Sequence, residues 1–282
     1  MKLRETQMTP TIILDRSRYI TKLYDEHARI GKMRPHTVLH SKKVSDMAFT
    51  LMTQLTSQTN LSDTSKLFWT EAAKSTGLVH DIGKICFSKS HEEKGLPDKK
   101  FIQDILHHPV AGFHILGTSF SIADLEIDDF LGRVQFGVLH HHERWDGERF
   151  EFSFDTFDRP GYPHGFKEDK IEEVARVIHV VDVYDAGRSR YECNHRVRRD
   201  MLIDFIAFNK GMAFDPNVVD AFLEIEPSLN IILEHYEDRG EKIERELSPE
   251  EDTRVICKLN NLLDIIPKDL SNIEKKPEPN LE

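Results

Sequence analysis

Histidine and aspartate residues of this 282-residue chain stand at the ends, or on one face, of its predicted helices. His36 and His40 are four residues apart and therefore share a helix face. His80 and Asp81 close another helical segment, and Gly83 interrupts the pattern directly afterwards. Further members stand near other predicted helix ends: His108, His141, His142 and Asp182. Such residues act together only in a fold that brings several helices to one point.

Amphipathic helical spacing dominates the chain and predicts an all-α fold. A first helix is predicted from about Asp15 to Ile30, a second from Pro35, and a third from Ser62 or Asp63 to His80. Further helices are predicted at 100–107, 109–117, 128–142, 169–186, 193–209 and 216–236. Strand signals are weak; the alternating segment 150–154 is interpreted as part of a loop insertion.

Charge and cysteine content restrict the partners. The formal net charge of -11 argues against a role in coating DNA or RNA. A small phosphate ligand remains compatible with it, because bound metal cations reverse the local field. Three scattered cysteines suit a reducing cytoplasm, and no apolar run reaches the roughly 18–20 residues of a membrane span. We therefore expect a cytoplasmic protein with neither a long nucleic acid nor a membrane as partner.

The residue types indicate metal chemistry. Imidazole and carboxylate ligands together suit iron, manganese or zinc. An aspartate beside a histidine is a natural bridge, since one carboxylate can give an oxygen to each of two cations. Two metals about 3.5–4 Å apart can clamp the attacking and leaving oxygens of a phosphodiester, and this chemistry needs no nucleophilic side chain.

The ordered set resembles the HD-GYP domains, a branch of the HD phosphohydrolase superfamily. The ligand order of that branch is matched by His40, His80-Asp81, His108, His141-His142 and Asp182. Neighbouring segments match as well: HDIGK at 80–84, HPVAG at 108–112, HHERWDG at 141–147, GYP at 161–163, DVYDA at 182–186 and KGMAFDPNVVDAF at 210–222. The resemblance covers about residues 33–224.

This resemblance implies a domain plan and an activity. It implies an HD-domain helical bundle at 33–236, preceded by an N-terminal helical arm at 1–32. The charged C-terminal extension, 237–282, is expected to be partly helical and partly disordered. Members of the branch hydrolyse cyclic di-GMP to pGpG or GMP, and some act on related 3',3'-cyclic dinucleotides. The implied protein is a metal-dependent phosphodiesterase that uses two or three divalent ions, iron or manganese.

The resemblance also implies residue roles. Asp81 would bridge the metals, and the other ligands would be His40, His80, His108, His141, His142 and Asp182. Lys84 would contact the phosphate and stabilise charge in the transition state, which makes Asp81 and Lys84 the expected catalytic residues. Tyr162, Arg188 and Arg190 are further candidate substrate contacts. Through the GYP loop, a signalling protein is an expected partner, and a homodimer is a second expectation.

Three departures from the family pattern leave alternatives open. His36 stands where three-metal members have a glutamate, so it is a candidate ligand of a third metal. Residues 148–160 split the usual run before the GYP segment, and the segment 187–195 lacks the family's proline. These changes keep two alternatives: a cyclic dinucleotide receptor of low turnover, and an HD phosphohydrolase for another phosphoester. Outside a substrate role, Arg188 and Arg190 are interpreted as solvated helix-end charges.

The remaining polar residues near these motifs have structural interpretations. Asp185 is a candidate acceptor for the outer N–H of a metal-bound histidine. For Glu143 and Asp146 three roles stay open: that same acceptor role, loop formation and metal coordination. The other histidines, among them His140, His164 and His179, are assigned to the core or the surface.

Overall fold

The computed structural model describes residues 1–31, 33, 35–86, 107–122, 128–148, 164–189, 195–237 and 245–246. These residues form eight α-helices: α1 (Pro10–Ile30), α2 (Pro35–Ser57), α3 (Asp63–Val79), α4 (His108–Ile122), α5 (Asp129–His140), α6 (Glu173–Ser189), α7 (Arg199–Phe208) and α8 (Pro216–Glu237). Short 3-10 helices lie at Ile82–Cys86 and Glu168–Lys170. Two-residue strands, β1 (His195–Arg196) and β2 (Arg245–Glu246), pair in parallel. The predicted all-α class is confirmed, with this strand pair as a small addition.

Capping residues set the helix starts. The Ser62 side chain accepts the Ser65 N–H and caps α3, and the Asp128 side chain accepts the Leu131 N–H and caps α5. Pro35 is the first residue of α2, as predicted. The predicted start of α1 at Asp15 is wrong. Helix α1 begins at Pro10, because Thr9 caps it and the proline has a backbone angle suited to a first turn.

Helix α6 lies inside the bundle and packs against α2, α3, α5 and α8. Residues 173–181 of α6 are all buried. Buried polar groups require partners, so the charged residues along this helix must meet groups from its neighbours. Helix α6 therefore carries its polar side chains into the centre of the molecule.

Helix α1 packs on α3 and shares the hydrophobic core. Its Ile13, Ile20 and Tyr24 are fully buried. The boundaries at 32 and 237 stay predictions. Most of the predicted 100–107 helix, the 150–154 segment and nearly all of the C-terminal extension fall outside the described residues. Within the described ranges, none of the helices combines the length and apolar character needed to cross a membrane.

Candidate metal centre

Two glycines allow the backbone approaches that assemble the site. At Gly77, a Cβ atom would lie 2.8 Å from the Ser45 Cα, so α3 packs tightly on α2 and brings His80 towards His40. At Gly83, a Cβ atom would lie 2.0 Å from the His108 carbonyl oxygen. The turn after Asp81 therefore rests directly on the start of α4.

A first cluster consists of His40, His80 and Asp182, from α2, the end of α3 and α6. The His40 Nε2 atom lies 3.0 Å from Asp182 Oδ1 and 3.2 Å from His80 Nε2. The His80 Nε2 atom is 3.8 Å from the same Asp182 oxygen. Three ligand atoms thus converge on one small volume.

A second cluster consists of His108, His141 and His142, from the start of α4 and the turn that follows α5. The Nε2 atoms of His108 and His141 are 3.1 Å apart, and the ring centroids of His108 and His142 are 5.1 Å apart. In each cluster, one potential ligand atom per residue lies within 4.8 Å of the others.

Asp81 lies between the two clusters and turns one carboxylate oxygen towards each. Its Oδ2 atom is 3.5 Å from His80 Nε2 and 3.6 Å from His40 Nε2. Its Oδ1 atom is 3.0 Å from His108 Nε2. The residue is 1% exposed, so its carboxylate is buried within the site. The arrangement is the one that a carboxylate bridging two cations requires.

The outer ring nitrogens are held by acceptors. The Nδ1 N–H of His40 donates to Asp185 Oδ2 over 2.6 Å. Those of His80 and His141 donate to the carbonyl oxygens of Gly77 and Val138, over 2.8 and 2.7 Å. With the proton on Nδ1, the Nε2 lone pair points inward, as a metal ligand needs.

Protonation states in the centre follow from burial and from the charges of neighbouring residues. Burial lowers the pKa of His80, His141 and His142, so these rings are neutral and able to coordinate a cation. Burial also opposes a charge on His40, but Asp182 and Asp185 outweigh it and raise the pKa of His40 to about 10. A cation bound at the first cluster must therefore displace a proton from His40.

The central carboxylates are ionised. Burial acts to raise the pKa of Asp81, but the Lys84 ammonium and the nearby imidazoles of His80 and His108 hold it well below its usual range. Against burial, His40 likewise lowers the pKa of Asp182. Ionised carboxylates and imidazoles, once His40 has lost its proton, form a buried donor set that fits two divalent cations.

Lys84 lies at the solvent edge of the centre. Its Nζ atom is 2.6 Å from Asp81 Oδ2, and its side chain is 35% exposed. The side chain is thus partly exposed, while the Asp81 carboxylate pairs with its ammonium group.

The other predicted contacts are less central. His36 lies on α2 but belongs to neither cluster of the described residues. The interpretation of Arg188 as a solvated charge is wrong, because it is 4% exposed and its Nη1 donates to the Val197 carbonyl. A substrate role for Arg188 stays a prediction. Tyr162, Arg190 and the GYP loop lie outside the described residues.

The turn after His142 is held by its own polar residues. The Glu143 carboxylate accepts three backbone N–H groups: those of His164, Gly165 and Phe166. Asp146 receives two hydrogen bonds from Arg144. Of the three roles left open for Glu143 and Asp146, these contacts favour loop formation, and neither residue belongs to a ligand cluster of the described residues.

The structure shows the contacts of two further residues that were given structural roles, Asp185 and His140. Asp185 stands where the outer N–H of His40 needs an acceptor, and His140 is buried with its Nδ1 accepting the Glu172 N–H.

Sequence reasoning missed Lys43, which is fully buried one helical turn after His40. The available signal was a lysine on the same helix face as a candidate ligand.

Comparison with known proteins gives a consistent result. The family model of the HD domain matches residues 37–187. The chain is 29% identical to a cyclic di-GMP phosphodiesterase of Thermotoga maritima, over 62% of this chain and 42% of the relative. It is 31% identical to a cyclic di-GMP phosphodiesterase of Pseudomonas aeruginosa, over 70% of this chain and 41% of the relative. It is 25% identical to a 3'3'-cGAMP-specific phosphodiesterase of Vibrio cholerae, over 72% and 37%. The chain thus spans less than half the length of each.

Proposed function

Because this chain belongs to the HD domain family, we propose that it is a metal-dependent phosphodiesterase of the HD-GYP type that hydrolyses a cyclic dinucleotide. The observation that carries this proposal is Asp81, whose two oxygens face two separate clusters of ligand atoms. The relatives named for cyclic di-GMP and 3'3'-cGAMP hydrolysis support cyclic di-GMP or a related 3',3'-cyclic dinucleotide as substrate.

Two divalent metals fit the described ligands. One would be held by the first cluster, the other by the second, and Asp81 would be shared between them. Iron or manganese is the proposed metal; the mixed imidazole and carboxylate ligands suit either, as they also suit zinc. When bound, the two metals supply positive charge to the phosphate oxygens and make water a nucleophile at neutral pH.

The chain's own residues supply positioning and charge. Asp185 and the carbonyls of Gly77 and Val138 hold the ligand rings so that each directs Nε2 into the centre. Lys84 places an ammonium group beside Asp81 on a partly exposed side chain, where it would contact a non-bridging phosphate oxygen and stabilise charge in the transition state. In a chain of net charge -11, such a local positive site is needed to receive a dinucleotide. The cytoplasmic location stays a prediction.

The test is product analysis with matched variants. Protein loaded anaerobically with iron or manganese is incubated with cyclic di-GMP and, separately, with 3'3'-cGAMP, and products are resolved by chromatography. The wild type is expected to form linear dinucleotide or mononucleotide. Asp81→Ala should lose both the activity and most of the metal, since it removes the carboxylate that faces both clusters. His114→Ala, an exposed histidine on α4, should retain both and serves as the control.

The outcomes separate the alternatives. Metal-loaded wild type that binds a cyclic dinucleotide without cleaving it would establish a receptor instead of an enzyme. Cleavage of other phosphoesters only would assign the chain to another HD hydrolase activity. Full activity in Asp81→Ala would refute the proposed role of the bridging carboxylate.

A further inference from the structure

Lys43 is a fully buried lysine beside the candidate metal centre. Its side chain has no exposed surface, and its Nζ atom lies 3.9 Å from Asp185 Oδ1. Asp185 is also fully buried. Desolvating two charged groups is unfavourable, and apolar residues of similar volume often serve stability equally well. A buried pair of this kind therefore calls for a role other than stability.

The pair is connected to one metal ligand. One Asp185 oxygen faces Lys43, while the other accepts the His40 N–H over 2.6 Å. The opposite nitrogen of His40 lies 3.0 Å from Asp182 Oδ1. The contacts thus run from Lys43 through Asp185 to His40 and end at the first cluster.

The geometry of the two helices explains the connection. His40 and Lys43 are three residues apart on α2 and share a face, so both reach the Asp185 carboxylate of α6. Asp182, a member of the first cluster, lies one turn earlier on the same α6. A single carboxylate therefore links α2 to α6 at the point where both helices contribute a ligand.

His80 and His141 are held differently. Each donates its Nδ1 proton to a carbonyl three residues earlier in its own chain segment, at Gly77 and Val138. Those rings are therefore oriented locally. His40 is oriented from another helix, so its placement depends on a tertiary contact that one substitution can remove.

We propose that Lys43 and Asp185 are positioning residues that hold His40 in place and thereby maintain the metal position of the first cluster selectively. The inference rests on the proposed metal function, and it adds that the two metal positions differ in what supports them. The second cluster contains neither His40 nor a residue of α6, so it should survive loss of the pair.

The test measures metal binding instead of turnover. Mn²⁺ is titrated into the metal-free full chain, with stoichiometry from elemental analysis and the spin coupling of neighbouring ions from electron paramagnetic resonance. The wild type should bind two ions with a coupled spectrum. In Asp185→Asn and Lys43→Met, affinity at one position should fall roughly 10–100-fold, as substitutions behind metal ligands typically do. The remaining ion should give the hyperfine-split signal of isolated Mn²⁺.

Two further variants distinguish positioning from general destabilisation. Lys43→Arg keeps a cation near Asp185 and should restore most of the lost affinity. Glu226→Gln removes another buried carboxylate, which bonds to Tyr184 and Arg199. It should lower stability and leave both metals bound. Nitrogen NMR of the zinc-loaded wild type supplies a reading that no variant's folding affects: His40 should carry a slowly exchanging Nδ1 proton.

Several results would overturn the inference. Wild-type affinity at both positions in Asp185→Asn and Lys43→Met would do so, as would simultaneous loss of both metals in folded protein. Absence of the Nδ1 proton from His40 in the zinc-loaded wild type would do so even where a variant fails to fold. A wild type that binds no metal would instead refute the proposed function, so the two failures are distinct.

Discussion

Replacing Gly83 by alanine should separate the turn that follows Asp81 from the start of α4. The added Cβ atom would lie 2.0 Å from the His108 carbonyl oxygen and 2.6 Å from the Gly112 nitrogen. Both are backbone atoms, so no side-chain rotation relieves the contact. Because Cβ contacts under 3.0 Å essentially do not occur, the two segments must move apart by about 1 Å.

This displacement acts on both stability and the metal centre. Overpacking of a tight core typically costs about 1–3 kcal/mol, which lowers the melting temperature of a chain of this size by roughly 2–10 °C. The same movement lengthens the 3.0 Å approach of Asp81 Oδ1 to His108 Nε2, on which a shared carboxylate depends. A misplacement of about 1 Å in a catalytic centre can reduce turnover on the order of 100-fold.

Thermal unfolding, metal stoichiometry and phosphodiesterase rate measured on the same preparation test this reasoning. Gly117→Ala is the matched control, since it makes the same substitution within α4. Its Cβ atom would meet the Gln135 Nε2 atom at 2.6 Å, and the end of that side chain can move aside at the cost of its hydrogen bond to the Phe113 carbonyl. The control should keep its metals and rate. A Gly83→Ala protein with wild-type melting temperature and activity would refute the argument from close packing.

Three further predictions concern single side chains. Glu143→Gln weakens the charge-assisted hydrogen bonds to the backbone amides of residues 164–166, each worth about 1.5–3 kcal/mol. Amide hydrogen exchange at these residues should therefore accelerate by more than about 10-fold while the metals remain bound. Unchanged exchange rates would contradict this prediction. Lys84→Met should reduce kcat roughly 100-fold at unchanged metal content, and a kcat equal to the wild type would exclude its role in charge stabilisation. Burial lowers the pKa of His140 from 6.5 to about 4, so the unfolded chain binds its proton first and stability falls as pH drops from 6.5 towards 4. The loss in the free energy of unfolding is about 2 kcal/mol at pH 5. In urea unfolding of the metal-loaded proteins, the free energy of unfolding of His140→Asn should decrease less between pH 7 and pH 5 than that of the wild type. An equal decrease would refute the assignment of this pH dependence to His140.

Much of the helical framework was predictable from local patterns. Pro35, Ser62 and the apolar spacing placed the starts of α2 and α3 correctly. Local signals were also available at Thr9 and Pro10, but the apolar pattern alone placed the start of α1 too late. The burial of Arg188 was not predictable, because the Val197 carbonyl reaches it only through the connection between α6 and α7.

The candidate ligands were predictable as a set, through their types and their order. Their division into two groups was not. Nothing in the spacing of His40, His80 and Asp182 shows that they meet without His108, since the members come from helices far apart along the chain. Lys43 shares a helix face with His40, but that pattern does not show its burial, because a lysine on a helix normally reaches solvent.

Periodicity, caps and the order of ligand types are properties of neighbouring residues, so they can be read along the chain. Distances between helices are different, because they depend on which surfaces pack together. The approach of Gly83 to His108 brings Asp81 between the two clusters, and the packing of α2 on α6 places Asp185 behind His40. The sequence thus determines which histidines and aspartates are candidate ligands, and tertiary packing determines that they form two cation positions with a shared carboxylate. One carboxylate can serve both positions only when these helices lie within a few ångströms of each other.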